Sequence, residues 1–177
     1  MNFRSLALGL ALSSLTTYGF AADGTIEING MVTAATCKVN AGSTNNIKVS
    51  LPVVSAQSFK AVGDTAGKTP FSIKLTECSE DSKDVSVAFS AAQASLFNAT
   101  GHIVNQAQDP AANVNIVLFD EQNGGQKLKL AQGAEGKAVK VVNKGAVFNY
   151  TAAYIAEDKT VGAGQVRALM TYDIAYK

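Results

Sequence analysis

Several residue types that carry chemistry are scarce or missing in this chain of 177 residues. Tryptophan is absent, and the sequence holds only one histidine, two cysteines and three prolines. A protein site for a transition metal draws three or four ligands, mostly from His, Cys and carboxylate groups. The sequence therefore predicts no metal site, and nothing in it suggests a bound cofactor.

Charge is also sparse, because charged residues make up 16% of the chain and the formal net charge is +1. Without a surplus of basic residues, the sequence gives no reason to expect nucleic acid or an anionic membrane as a partner. We expect no direct insertion into a membrane, because no run after the first 21 residues is apolar enough for a transmembrane helix. Hydrophobic residues make up 47%, which excludes intrinsic disorder as the main state. The length fits one domain with a substantial core.

Motifs for catalysis are missing too: there is no nucleophile elbow, no phosphate-binding loop and no set of Rossmann glycines. Glu77, Glu80 and Asp81 cluster in one polar stretch, but adjacency alone does not separate the pKa values of two carboxyl groups as acid–base catalysis requires. We expect a solvated turn there and place His102, after Gly101, in a surface turn. The sequence therefore predicts no catalytic residue and no enzyme.

The first 21 residues have the pattern of a secretory signal peptide. The single cation Arg4 precedes the apolar run LALGLALSSL, which is shorter than the roughly 20 residues that span a bilayer. Cleavage after Ala21 places small residues at both recognition positions, whereas cleavage after Ala22 places Phe20 at one of them. We therefore predict export, with cleavage after Ala21 preferred.

Because we predict export, we expect the two cysteines, Cys37 and Cys78, to have a structural role. In an oxidising compartment two cysteines most simply form one disulfide, and only one pairing exists. A thiol nucleophile would instead need a histidine and an Asn or Asp nearby, and nothing around His102 suggests such a partner. We predict the Cys37–Cys78 disulfide.

The body of the chain alternates apolar and polar residues with a period of two, which is typical of half-buried β-strands. The runs cover residues 71–76, 84–89, 113–118, 148–154 and, most regularly, Val166–Tyr176. Asn123-Gly124-Gly125 predicts a hairpin turn. We expect at most a short helical connection at residues 91–97. Many short strands without intervening helices predict an antiparallel β-sandwich of immunoglobulin-like size.

The segment 22–29 alternates as well, with Gly24, Ile26 and Ile28 on one face and Asp23, Thr25, Glu27 and Asn29 on the other. Taken alone, this pattern fits an ordinary first strand of the sandwich.

Several ordered features together resemble the chaperone–usher fimbrial subunits, in particular the major pilin of type 1-like fimbriae. They are the alternating segment that ends at Gly30, the spacing from Gly30 to Cys37, the run FSIKLTEC that ends at Cys78, and the run VNIVLFDE. The final strand adds Gly164 as the fourteenth residue from the end and Tyr176 as the penultimate one. The resemblance covers the whole chain after the signal peptide.

The resemblance implies an immunoglobulin-like antiparallel β-sandwich that lacks its last strand and is completed by donor-strand exchange. It divides the chain into a signal peptide, residues 1–21, a donor-strand extension, residues 22–29, and a pilin domain, residues 30–177. A periplasmic chaperone lends a strand, which the extension of another subunit then replaces; this system is a known example of strand addition. The donor side chains would be Ala22, Gly24, Ile26 and Ile28.

The same resemblance implies an acceptor groove along the last strand, with the segment Ile47–Leu51 as its other wall. The C-terminal carboxylate of Lys177 is where the family's chaperone is expected to anchor. The implied groove and chaperone contacts are Gly164, Val166, Ala168, Met170, Tyr172, Ile174, Tyr176 and Lys177.

The function implied is that of a structural subunit that travels through the periplasm to the cell surface and polymerises head to tail into a fibre used in adhesion. Its partners would be other copies of itself, related fimbrial subunits, the periplasmic chaperone and an outer-membrane usher. Two alternatives stay open: a minor or adaptor subunit, and a self-contained secreted sandwich that binds carbohydrate through its loops. The last alternative expects exposed aromatic loops, whereas this chain has no tryptophan and its tyrosines fall at buried strand positions.

Overall fold

The computed structural model describes residues 36–39, 45–81 and 83–177, so the predicted signal peptide and donor extension lie outside it. The described residues belong to one compact unit, Thr33–Lys177, which is built from short strands and single turns of 3₁₀ helix. The strands are β1 Lys38–Val39, β2 Thr65–Thr76, β3 Asp84–Ser90, β4 Val114–Asp120, β5 Gln126–Lys127, β6 Ala134–Glu135, β7 Val139–Lys140, β8 Ala146–Ala156 and β9 Thr171–Tyr176. The 3₁₀ turns cover Ala56–Ser58, Ala94–Leu96 and Glu121–Asn123.

The first sheet has the strand order β1-β2-β8-β4-β5, and every neighbouring pair is antiparallel. In the central pair, Phe71 lies opposite Tyr150 and Ile73 opposite Phe148. Since alternate residues of a strand share a face, these side chains form one apolar layer. Phe148 and Tyr150 have no exposed surface, as the alternation at residues 148–154 predicted.

The second sheet is arranged around β3, which pairs antiparallel with β6, β7 and β9. Val85 lies opposite Val139 on one side and opposite Tyr176 on the other, so β9 forms the far side of this sheet. Phe89 projects from β3 toward the first sheet, and its ring meets the Tyr150 ring edge-on with 5.3 Å between centroids. The core therefore lies between two antiparallel sheets, and the predicted β-sandwich is confirmed.

The predicted disulfide between Cys37 and Cys78 is present. It joins Cys37, which directly precedes β1, to Cys78, which lies just after the end of β2. Backbone hydrogen bonds support the junction, since Ser79 N donates to Thr36 O over 2.9 Å and Cys78 N donates to Lys144 O over 3.0 Å.

The predicted hairpin turn at Asn123-Gly124-Gly125 is also confirmed, between β4 and β5. The carboxylate of Asp120 accepts a hydrogen bond from Gln122 N over 3.0 Å and thereby caps the 3₁₀ turn. Gly124 and Gly125 have φ values of +67° and +69°, a left-handed conformation that glycine adopts without steric cost.

The last strand is shorter than predicted, because β9 begins at Thr171 and not at Val166. Its partner β3 ends at Ser90, which lies opposite Thr171, so the ladder has no strand to continue along. Upstream of Thr171 the chain bonds to a loop instead, since Arg167 O accepts from Gln106 N over 2.7 Å. Among the described residues, no helix is long and apolar enough to cross a membrane.

Candidate functional site

An apolar cleft of about 930 Å³ opens between two extended segments of the sandwich, residues 45–51 and residues 166–174. We call these segments the first rim and the second rim. Buried side chains of the hydrophobic core form the floor of the cleft. The floor includes Ile73, Phe89, Ile103, Ile116 and Leu118.

The second rim, residues 166–174, alternates with a period of two although only its last part is hydrogen-bonded as a strand. Its even-numbered residues are half-buried, pack against the core and line the cleft: Val166, Ala168, Met170, Tyr172 and Ile174. Its odd-numbered residues are exposed: Arg167, Leu169, Thr171 and Asp173. The rim therefore presents an apolar face to the cleft and, apart from Leu169, a polar face to solvent.

The first rim, residues 45–51, has the same pattern. Ile47, Val49 and Leu51 are half-buried and pack against the core, whereas Lys48 and Ser50 are exposed. One hydrogen bond joins the two rims, because the hydroxyl of Tyr172 donates to Asn45 O over 2.7 Å. The predicted segment Ile47–Leu51 thus forms a wall of the cleft.

In the described part of the chain, no strand pairs with either rim across the cleft. There, β9 pairs with β3 alone, and the first rim belongs to no strand. Backbone N–H and C=O groups are strong hydrogen-bonding groups, and an unpaired strand edge is a template for another strand. The arrangement is therefore suited to an extended segment whose alternate side chains are apolar.

Three predicted groove residues do not line this cleft. Gly164 lines a smaller pocket next to it, together with Val166 and Tyr154. A Cβ atom at Gly164 would come within 2.5 Å of the backbone nitrogen of Ala111. Only glycine permits this close approach of the two backbones.

Tyr176 and Lys177 lie past the end of the cleft. The hydroxyl of Tyr176 accepts a hydrogen bond from Cys37 N over 2.9 Å, which connects β9 to the disulfide region. The ammonium of Lys177 lies 2.6 Å from a carboxylate oxygen of Glu135. Hydrogen bonds from Lys177 and from Ser86 lower the pKa of Glu135 below its ordinary value of 4.5.

The donor residues Ala22, Gly24, Ile26 and Ile28 lie outside the described residues. Their role stays a prediction.

The expectation that His102 lies on the surface was wrong, because only 13% of its side chain is exposed. Its Nδ1 atom lies 2.7 Å from Oε1 of Glu157. The same oxygen accepts hydrogen bonds from the amide groups of Asn98 and Asn115, over 2.9 and 3.0 Å. This network holds the loop that delivers Ile103 to the floor of the cleft, and no sequence pattern signals it, since its members come from separate segments.

Comparison with known protein families gives a match over most of the chain. The family described as "Fimbrial protein" matches residues 26–177. The chain is 33% identical to the F17 fimbrial protein of Escherichia coli over 177 residues, with 96% of each chain covered. It is 37% identical to the major fimbrial subunit SMF-1 of Stenotrophomonas maltophilia, over 88% of this chain and 94% of that one.

Solved structures show the same fold. A chain in a chaperone–usher pilus matches with a TM-score of 0.62 and 19% identity, over 88% of this chain and 96% of that one. The P pilus rod subunit PapA also matches with a TM-score of 0.62, at 17% identity, over 80% of this chain and 99% of that one. At these identities the likeness concerns the fold, an antiparallel immunoglobulin-like sandwich.

Proposed function

Because this chain belongs to the fimbrial protein family, we propose that it is a major subunit that polymerises head to tail by donor-strand exchange. Family membership alone shows the general role: the chain is a structural fimbrial subunit of the chaperone–usher type and is not an enzyme. Such subunits assemble with other subunits into a pilus at the cell surface. The major role is supported by the likeness to a protein named as a major subunit.

The observation that carries the proposal is the open cleft with an apolar floor between the two rims. An occupant must be extended and must place apolar side chains at alternate positions. Residues 22–29 of a second copy have this pattern, with Gly24, Ile26 and Ile28 on one face. Because the donor and the acceptor are different surfaces of the subunit, the contact is heterologous, and its repetition without closure into a ring gives a filament.

A bare cleft of this kind would aggregate, because half-buried apolar side chains of the rims lie beside the free edge of a sheet. We propose that a periplasmic chaperone covers it before assembly, with the C-terminal carboxylate of Lys177 as an anchor, and that an outer-membrane usher directs the exchange. In this scheme the subunit passes through the periplasm, and the finished fibre serves adhesion.

The expected free energy of docking is large. Burying two isoleucine side chains contributes roughly 3–6 kcal/mol by the area removed from water. Each backbone hydrogen bond formed along the rims adds on the order of 1 kcal/mol net. These contributions favour a polymer that persists in detergent until it is heated.

The substitution Ile28→Asp tests the proposal, because it places a carboxylate in the apolar floor. Cells that produce this variant are expected to lose polymer from their surface, while the variant still binds chaperone through its own intact cleft. The matched control is Thr25→Asp, which adds the same charge to the opposite face of the donor segment and should leave the polymer in place. Normal fibres from Ile28→Asp would refute the donor assignment.

A further inference from the structure

We propose that the pair Glu27 and Arg167 sets the register in which the donor segment of one copy docks in the cleft of the next. This inference rests on the proposed donor-strand exchange and adds a specificity determinant to it. A register must be specified, because a strand can slide along an edge in steps of two residues without changing which face is buried.

The apolar pattern of the donor segment specifies the register weakly. Ile26 and Ile28 are identical and two residues apart, so a slip by two residues places one isoleucine where the other would lie. The cleft wall also repeats, since half-buried apolar residues follow one another at every second position from Val166 to Ile174. Some other feature must therefore distinguish neighbouring registers.

Charge on the outer faces supplies such a feature. Among the described residues that line the cleft, Arg167 and Asp173 are the charged ones, and both are exposed on the second rim. Neither forms an ion pair with another described residue. The donor segment carries two acids, Asp23 and Glu27, on the face that would point outward.

Antiparallel pairing of the donor with the second rim is the expected geometry, because antiparallel pairs are more common and slightly more stable per residue. If Glu27 lies opposite Arg167, the inward pairs follow from the period of two. Ile28 then lies beside Val166, Ile26 beside Ala168, Gly24 beside Met170 and Ala22 beside Tyr172. In this register the two smallest donor side chains meet the two largest side chains of the wall.

The two neighbouring registers are energetically less favourable than the proposed one. A slip by two residues in one direction removes the pair with Arg167 and places Asp23 directly opposite Asp173, where like charges repel. A slip in the other direction also separates Glu27 from Arg167 and moves Ile28 opposite Gly164. That position lies outside the cleft, at the backbone that packs against Ala111.

Cysteine pairs introduced into the polymer can reveal the register without a change to Glu27 or Arg167. In the proposed register Thr25 lies opposite Leu169, so the variant Thr25→Cys with Leu169→Cys should cross-link adjacent subunits, because opposed residues have the Cα separation that a disulfide needs. The matched control, Thr25→Cys with Thr171→Cys, reports the slipped register. We expect a covalent ladder that survives boiling without reductant in the first variant, at several times the yield of the second.

Charge reversal then tests the cause. Adding Arg167→Glu to the first cysteine variant should lower its cross-link yield by roughly threefold or more, in line with the energies of cross-strand charge pairs. Adding Glu27→Arg as well should restore the yield, because the pair is then re-formed with reversed charges. Equal yields at Leu169 and Thr171, or no loss with Arg167→Glu, would overturn the inference.

The proposed function and this inference fail in different ways. Normal polymer from Ile28→Asp would overturn donor-strand exchange itself. Loss of polymer with Ile28→Asp, combined with cross-linking that ignores the charges, would overturn only the role of Glu27 and Arg167.

Discussion

The paired strands of the sandwich and the two rims of the cleft contain the same kinds of apolar side chains, in the same alternation, but bury them to different extents. Val85 and Phe148, on strands with neighbours on both sides, are both 0% exposed. Val166 and Ile174, on the second rim, stay half-buried. Alternation therefore creates an apolar face in both regions, whereas a second neighbouring strand decides whether that face is closed.

The two regions therefore stabilise different states of the protein. The closed region stabilises the subunit by itself, through packing such as the edge-on contact of Phe89 and Tyr150. The rims gain their full burial only when an additional strand fills the cleft. A substitution in the closed region should therefore affect every state of the protein, and a substitution on a rim should affect mainly the filled state.

The largest effect is expected at the Cys37–Cys78 disulfide, which joins the chain beside β1 to the end of β2. Cys78 is 2% exposed, and Cys37 is half-buried beside β1. Replacing both cysteines with alanine should lower the free energy of unfolding by about 4 kcal/mol, because the disulfide closes a loop with a sequence separation of 41. Urea denaturation measures this value, and the wild-type protein under reductant is the control. Equal stability with and without the disulfide would contradict the account.

A matched pair of leucines compares the two regions directly. Leu75 is 2% exposed in the core, so Leu75→Ala should lower the free energy of unfolding by about 3 kcal/mol in subunit and polymer alike. Leu51→Ala, on the first rim, should change the isolated subunit much less and lower the dissociation temperature of the polymer. Thermal dissociation of sheared fibres and urea denaturation of the subunit measure the two effects. The same loss from both variants in the isolated subunit would show that the rim is already closed.

One substitution in the centre of the closed region is expected to raise the free energy of unfolding, whereas the preceding ones lower it. Burial and the nearby Asp120 carboxylate raise the pKa of Tyr150. Its buried hydroxyl has no hydrogen-bond partner among the described residues. Tyr150→Phe should therefore raise the free energy of unfolding by about 1 kcal/mol, since it removes an unsatisfied polar group. A clear loss of stability would mean that the hydroxyl has a partner in solution.

The smallest effect is expected at Glu135, beyond the end of the cleft. Lys177 and Ser86 lower its pKa below the ordinary value of 4.5, so its contribution to stability is present above pH 4.5 and is lost as the pH falls through the lowered value. Glu135→Gln should be slightly less stable than wild type at neutral pH, and the difference should vanish in acid. Thermal unfolding between pH 3 and pH 7 measures it, with Glu80→Gln as the control at an exposed pair. A constant difference across this range would exclude the ion pair as its cause.

The period-two alternation was enough to predict the sandwich and most strands, because these features depend on local pattern. The disulfide was predicted from export and from the single possible pairing of two cysteines. The two walls of the cleft were expected from the resemblance to fimbrial subunits, and the even-numbered residues from Val166 to Ile174 line the cleft. The start of β9 was missed because strand ends depend on the partner, and β3 ends opposite Thr171. The burial of His102 was missed because Glu157, its partner, is distant in the sequence.

The most direct test of the central claim is the mobility of material sheared from the surface of producing cells, run in SDS with and without boiling. Polymers joined by strand exchange are held by many non-covalent contacts and should resist SDS at room temperature. The account predicts a ladder of high-mass bands that collapses to a single subunit band only after boiling. A single monomer band in both lanes would contradict it and would favour a self-contained secreted domain.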